Sequence, residues 1–185
     1  LNTSYSSSGI SGLGNEAILV NSGTSSVSLA NNLSAATSGV VSATLSDGDM
    51  ATLANLNENN NAYTITISDT SIDASALNTL DGKTTATINA AAVTILSGSA
   101  SALNTSYSSS GISGLGNEAI TISDTSIDAS ALNTLDGNTI GIIDASTITT
   151  LSGSASALNT SYSSSGISGL GLSLIHISEP TRLHG

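Results

Sequence analysis

ITISDTSIDASALNTLDG occupies residues 65–82 and returns unchanged at 120–137. It opens on the period-two alternation Ile65, Ile67, which reads as a strand together with Tyr63. The segment then changes period. Ile72, Ala76, Leu77 and Leu80 fall on one face of a helix, with Ser71 or Asp73 as capping residue and Gly82 as the stop. Such a helix is about two turns long and needs neighbours to persist.

Outward from this stretch the repetition continues. LSGSASALNTSYSSSGISGLG at 96–116 returns at 151–171, displaced by the same interval as 65 from 120. LNTSYSSSGISGLG also opens the chain at 1–14. Self-similarity at a fixed period is the mark of a repeat array. The expected organisation is an array over 1–171, with units at 65–119 and 120–171 and a divergent unit at 17–64. In the divergent unit, 17–33 alternates in part and suggests a strand. Val41, Ala43 and Leu45 suggest another, and Ser46 or Asp47 would cap a short helix carrying Met50, Leu53 and Leu56.

Inside each unit, Ile72 aligns with Ile88 and Gly82 with Gly98, an inner offset of 16 positions. Three unequal sub-units per repeat are therefore expected, each a strand or loop plus a helical turn, the second being a strand around Thr85–Ile88 followed by Ala91, Val93, Leu96 and Gly98. The fold expected is an α/β solenoid of short strands and short helices, with a parallel β-helix as alternative. Like residues of successive copies should stack, Leu77 with Leu132, Asp73 with Asp128 and Asp81 with Asp136.

Composition narrows the function. The chain has 185 residues, no Cys, Trp or Phe, and four Tyr. Disulfide and thiol chemistry are excluded, and the interior must be assembled from Ala, Ile, Leu and Val. Net charge is −11 with only two Lys and Arg, which excludes nucleic acid as a partner and disfavours an anionic membrane surface. No apolar run is long enough to span a bilayer.

The terminal segment LSLIHISEPTRLHG, 172–185, breaks the pattern where Asn-Glu-Ala-Ile is expected. It holds both His (His176, His184), the only Arg and the only Pro. LSLIHISEPTR resembles the conceptual translation of a transposase sequencing adapter. The segment is therefore expected to be non-native, and the His pair is not taken as a metal site.

No catalytic residues are expected. A nucleophilic Ser lacks a base partner, and the Ser runs at 6–8, 108–110 and 163–165 read as loop filler. Asp69, Asp73, Asp124, Asp128 and Asp144 read as caps. Calcium is the one candidate cofactor, with Asp73, Asp81, Asp128 and Asp136 as ligands on stacked turns. Neither EF-hand spacing nor a β-roll nonapeptide is present. Tyr5, Tyr107 and Tyr162 share one repeat position and should each seal a helix end.

The quoted repeats resemble those of very large secreted or cell-surface proteins of marine bacteria, notably cyanobacteria, of adhesin type. That resemblance implies an extracellular or surface location and a structural or adhesive role without catalysis. The partners implied are neighbouring repeats and a cell-surface or polysaccharide ligand. The alternative is a calcium-binding module of a type I-secreted protein.

Overall fold

The computed structural model describes Ser4, residues 8–171 and the backbone of residues 174–177. It is an α/β structure with parallel sheets. In chain order the elements are β1 Ile18–Leu19, α1 Val27–Ala36, β2 Val41–Thr44, α2 Met50–Leu53, β3 Ala62–Thr66, β4 Ser71–Asp73, α3 Ala74–Asp81, β5 Ile88–Asn89, β6 Ile95–Gly98 and α4 Ala100–Ser108. They continue with β7 Ile112–Ser113, β8 Ala119–Ile122, β9 Ser126–Asp128, α5 Ala129–Asp136, β10 Ile143–Asp144, β11 Thr150–Gly153, α6 Ala155–Ser163, β12 Ile167–Ser168 and β13 Leu174–Ile177.

The chain divides into two compact units that interleave in sequence. The first comprises Leu1–Asp69, Ala76–Ala92 and Ser109–Gly114, and the second Thr70–Ser75, Val93–Ser108 and Leu115–Gly185. The first holds one sheet, in the order β1-β2-β3-β5-β7. Every pairing in it is parallel. Ile18 faces Val41, Ala43 faces Tyr63, Ile65 faces Ile88, and Ile88 faces Ile112, so the numbering advances by 23 or 24 at three steps and by 20 between β2 and β3. Parallel strands need a crossover between them, and the short helices supply it. Along β3 burial alternates. Tyr63, Ile65 and Ile67 are buried, and Thr64 and Thr66 are exposed. The Tyr63 hydroxyl donates to the Ala30 carbonyl at 3.4 Å, so the ring enters the core with its polar end satisfied.

The second unit holds two parallel sheets, β12-β10-β8-β6-β4 and β13-β11-β9. Ile72 faces Leu96 and Leu96 faces Ile120, an advance of 24 each time. Ile127 faces Leu151 in the other sheet. The core lies between sheets and helices. Leu103, Leu132, Leu135 and Leu151 are fully buried there, as Leu77 is in the first unit.

Several expectations change. The inner period is 24, not 16. Each copy of the sequence repeat carries two helices rather than three helical turns. Residues 95–98 are strand β6, and Gly98 precedes α4 instead of ending a helix. At φ +149° it occupies backbone space that favours glycine, as does Gly153 at +147° one copy later. Residues 27–36 form helix, not strand, because Ser26 accepts from the Leu29 N–H and caps it. The cap of α2 is Asp49, not Ser46 or Asp47. The six helices among the described residues exclude a purely β-helical coil.

For the strand residues, Asp73 with Asp128 among them, the stacking of identical copies is overturned. Ser71–Asp73 and Ser126–Asp128 have the same sequence, yet β4 and β9 lie in different sheets of the second unit. The reason is arithmetical. Hydrogen-bonded neighbours in the second unit differ by 23 or 24 in number, whereas copies such as Ser71 and Ser126 differ by 55, which is a multiple of neither. A strand residue's neighbour is therefore never its own copy. In one sheet, β8 joins strands that precede helices (β4, β6) to strands that follow them (β10, β12).

The terminal segment, expected to be foreign, has its backbone in this scheme. β13 pairs with β11, Ile175 facing Leu151, as β8 pairs with β6. Set against its counterpart in the preceding copy, LIHIS at 174–178 shares with AITIS at 119–123 the spacing Ile-x-Ile-Ser. That spacing suffices for a strand. The side chains of His176 and His184, and the rest of 172–185, lie outside the described residues.

One position departs from the pattern of satisfied polar groups. Ser25 is fully buried, and its hydroxyl has no hydrogen-bond partner. Its bridge partner Leu45 occupies the corresponding place with an apolar side chain. Ser25→Ala should therefore stabilise the protein by about 1 kcal/mol, read as a higher urea midpoint at unchanged slope.

Candidate functional site

The chemistry of this chain is concentrated in its polar seams. After each of four helices a hydroxyl residue turns the chain and reaches back to an earlier strand or helix end. Thr37 Oγ1 donates to the Glu16 carbonyl at 2.6 Å and accepts from the Gly39 N–H at 3.0 Å. Thr139 repeats this with the Glu118 carbonyl at 2.9 Å and the Gly141 N–H at 2.9 Å. Ser109 and Ser164 make the same turn with the N–H of Gly111 and Gly166, and donate at 2.7 Å to the carboxylates of Asp81 and Asp136. On the strands, Ser97, Ser113 and Ser168 donate to the carbonyls of Ile72, Ile88 and Ile143. Serine is thus structural, not filler. A short hydroxyl is the side chain that reaches a carbonyl one strand away without crowding.

A second seam holds helix starts. Asp47 accepts from the Val27 N–H, Asp69 from the Met50 N–H and Asp124 from the Ala100 N–H, each at 2.7 Å. Each carboxylate lies well beyond the C-terminus of the helix it caps. Ser99 supplies the local cap of α4, accepting from the Ala102 N–H. Two of the orphan donors of that helix are therefore satisfied, one locally and one from a distance. Asp124→Ala should cost about 1 kcal/mol, and Asp124→Asn, which keeps an acceptor oxygen, less than half of that. Thermal melts of the two variants decide this.

The proposed calcium ligands fall into these roles. Asp128 caps α5, accepting from the Ser130 N–H at 2.8 Å and from its hydroxyl. Those bonds hold its carboxyl below the usual carboxylate range. Asp73 closes β4 directly before α3. Asp81 and Asp136 are engaged with Ser109 and Ser164. Among the described residues no three His, Cys, Asp or Glu side chains are grouped to hold a metal ion.

A third seam is amide. Asn104 donates to the Ala131 carbonyl at 3.2 Å and Asn133 to the Ala157 carbonyl at 2.9 Å, linking α4 to α5 and α5 to α6. The groove between α4 and α5, about 460 Å³, is lined by Asn104, Thr105, Tyr107, Thr134 and Asn138.

The least expected arrangement surrounds Glu118. This carboxylate is fully buried. It accepts from the Gly116 N–H at 2.8 and 3.0 Å and from the Tyr107 hydroxyl at 2.8 Å. Burial, and the neighbouring carboxylate that accepts its proton, push the Tyr107 phenol well above its ordinary value. Tyr107 does seal a helix end, but only with a partner further along the chain. At the equivalent distance from Tyr162 stands Ser173, and Tyr162 is 41% exposed. Tyr5 lies outside the described residues. The pairing was legible in principle, since Tyr-x10-Glu occurs at both 5–16 and 107–118. Nothing in composition says that the Glu turns inward.

Compared with protein-family models, with curated proteins and with solved structures, the chain matches none.

Proposed function

We propose that this chain is a structural segment of a large secreted or cell-surface protein, an α/β solenoid whose work is extension rather than catalysis. The observation that carries the reading is the recurring parallel register, Ile72 to Leu96 to Ile120 in one sheet and Ile88 to Ile112 in another. Along it each strand leaves the next an open row of hydrogen-bonding groups. The use of the polar side chains agrees with it. Carboxylates, hydroxyls and amides bind the chain to itself, at caps, turns and helix bridges. The resemblance of the repeats to those of giant surface proteins supports the extracellular setting.

Between extension and adhesion through one repeated face, the register favours extension. Copies with identical sequence enter different sheets, so a given side chain is not displayed again on the same face. Adhesion would then rest on a feature present once, not on a ladder of like groups.

The test is length. Proteins with one, two and three added copies of the segment 65–119 should lengthen in solution scattering by roughly 10 Å per copy, about two strand spacings. Independent globular beads of that size would add more than twice as much. A bead-like increment, or no increment, refutes the solenoid.

A further inference from the structure

We infer that the first unit carries a binding site for a short-chain aliphatic carboxylate, between α2 and α3 beside Lys83. Three observations meet there. The helix before α3 is a single turn, Met50–Leu53, whereas the one before α5 runs from Ala100 to Ser108. Between that single turn and α3 lies a cavity of about 200 Å³, lined by Met50, Leu53, Ala76, Thr79, Leu80 and Lys83. Apart from the Thr79 hydroxyl and the ammonium, these side chains are apolar.

The second observation is charge. Lys83 is the only Lys or Arg among the described residues of a chain with net charge −11. Its ammonium donates to the Asn57 carbonyl at 3.3 Å. Among the described residues no carboxylate forms an ion pair with it. Lys83 is part of the cavity wall, and an ammonium carried on a side chain of an apolar wall selects for an anionic head on an apolar tail.

The third is the internal comparison. In the next copy the position of Lys83 is Asn138, whose amide donates to Asn104 on the longer helix α4. Where the helix is long the position is neutral and engaged with it. Both positions border a cavity, but the groove at Asn138 is lined mainly by polar side chains, whereas the one at the cationic Lys83 is apolar. The volume lies below the roughly 300–1,000 Å³ of sites for drug-sized ligands, which limits the occupant to a short chain.

The chain provides its own probe, because Met50 is the only methionine. Full-length protein labelled at the methionine methyl should give one resonance, and titration with hexanoate should move it saturably with millimolar affinity. Affinity should rise roughly fourfold per methylene from butanoate to hexanoate. Lys83→Gln should weaken hexanoate about fivefold to tenfold, and Ala76→Phe, which fills the cavity from an exposed position of α3, should abolish the shift. Melting curves of both variants confirm that they are folded. No saturable shift up to roughly 50 mM hexanoate, equal binding of hexylamine, or an unchanged affinity in Lys83→Gln each overturns the site.

Discussion

Gly141→Val is expected to lower stability by about 3 kcal/mol, roughly 6–12 °C in melting temperature for a chain of this size. Gly141 follows the Thr139 turn, where its N–H donates to Thr139 Oγ1 while the same hydroxyl donates to the Glu118 carbonyl. This brings the glycine against the backbone of residues 118 and 119. A Cβ built there would penetrate the Glu118 carbonyl oxygen and lie 2.9 Å from the Ala119 nitrogen. The obstacle is backbone held in a sheet, which cannot rotate aside as a side chain can. Gly39 meets Glu16 and Ala17 in the same way, so Gly39→Val should behave alike. Gly137 is the internal control. It ends α5 at φ −74° and ψ −14°, in ordinary right-handed helical space, and its nearest obstacle is the Thr134 carbonyl at 3.5 Å. Gly137→Ala should be neutral or stabilise by about 0.5 kcal/mol, through the unfolded chain. Equal losses at 137 and 141 would contradict the close-approach argument.

Glu118→Ala is expected to cost about 3 kcal/mol, because it strands two partly buried donors, the Gly116 N–H and the Tyr107 hydroxyl. Tyr107→Phe removes one donor from the carboxylate and should cost about 2 kcal/mol. The double variant should lose clearly less than the sum, since each single change already breaks the shared bond. The pair also sets an alkaline limit. The folded phenol of Tyr107 is raised above the unfolded value of 10.0 by burial and by Glu118. The folded state then holds its proton where the unfolded state releases it. The associated stability is complete below pH 10 and declines as pH rises from there towards the folded value. Tyr63, raised chiefly by burial, adds a second contribution of the same sign. Denaturant midpoints between pH 8 and 11.5 should therefore fall less steeply in Tyr107→Phe than in the parent, with a remaining slope from Tyr63. An unchanged slope would mean that the phenol is solvated in the native protein.

The internal copy of this pair explains why it was hard to foresee. Residues 155–163 have the sequence of 100–108, and both form helices. Yet the two tyrosines differ, one hydrogen-bonded to a buried carboxylate and one 41% exposed. In the sequence the position eleven beyond the tyrosine is Glu at 118 and Ser at 173, while the two helices are identical. Identical local sequence ensures identical secondary structure here, and the environment of a side chain depends on a residue elsewhere.

By itself the sequence determined the class of each well-patterned segment. Alternation around Tyr63–Ile67 made a strand, and Leu77 and Leu80 are buried on a helix that stops at Asp81, whereas Ile72, expected on the same helix face, lies in strand β4 and Ala76 is exposed. It also determined that hydroxyls, amides and carboxylates would return at fixed intervals. Only the tertiary structure decided which residues became neighbours. Strand pairing is settled by how much chain one turn consumes, the interval from Ile72 to Leu96 here, and no local propensity records that length. A short apolar run such as 95–98 is equally compatible with strand and helical turn until it finds Ile72 and Ile120 on either side. Sequence repetition reports how the chain was duplicated, whereas packing reports how far a hydrogen bond can reach, and the two periods need not agree.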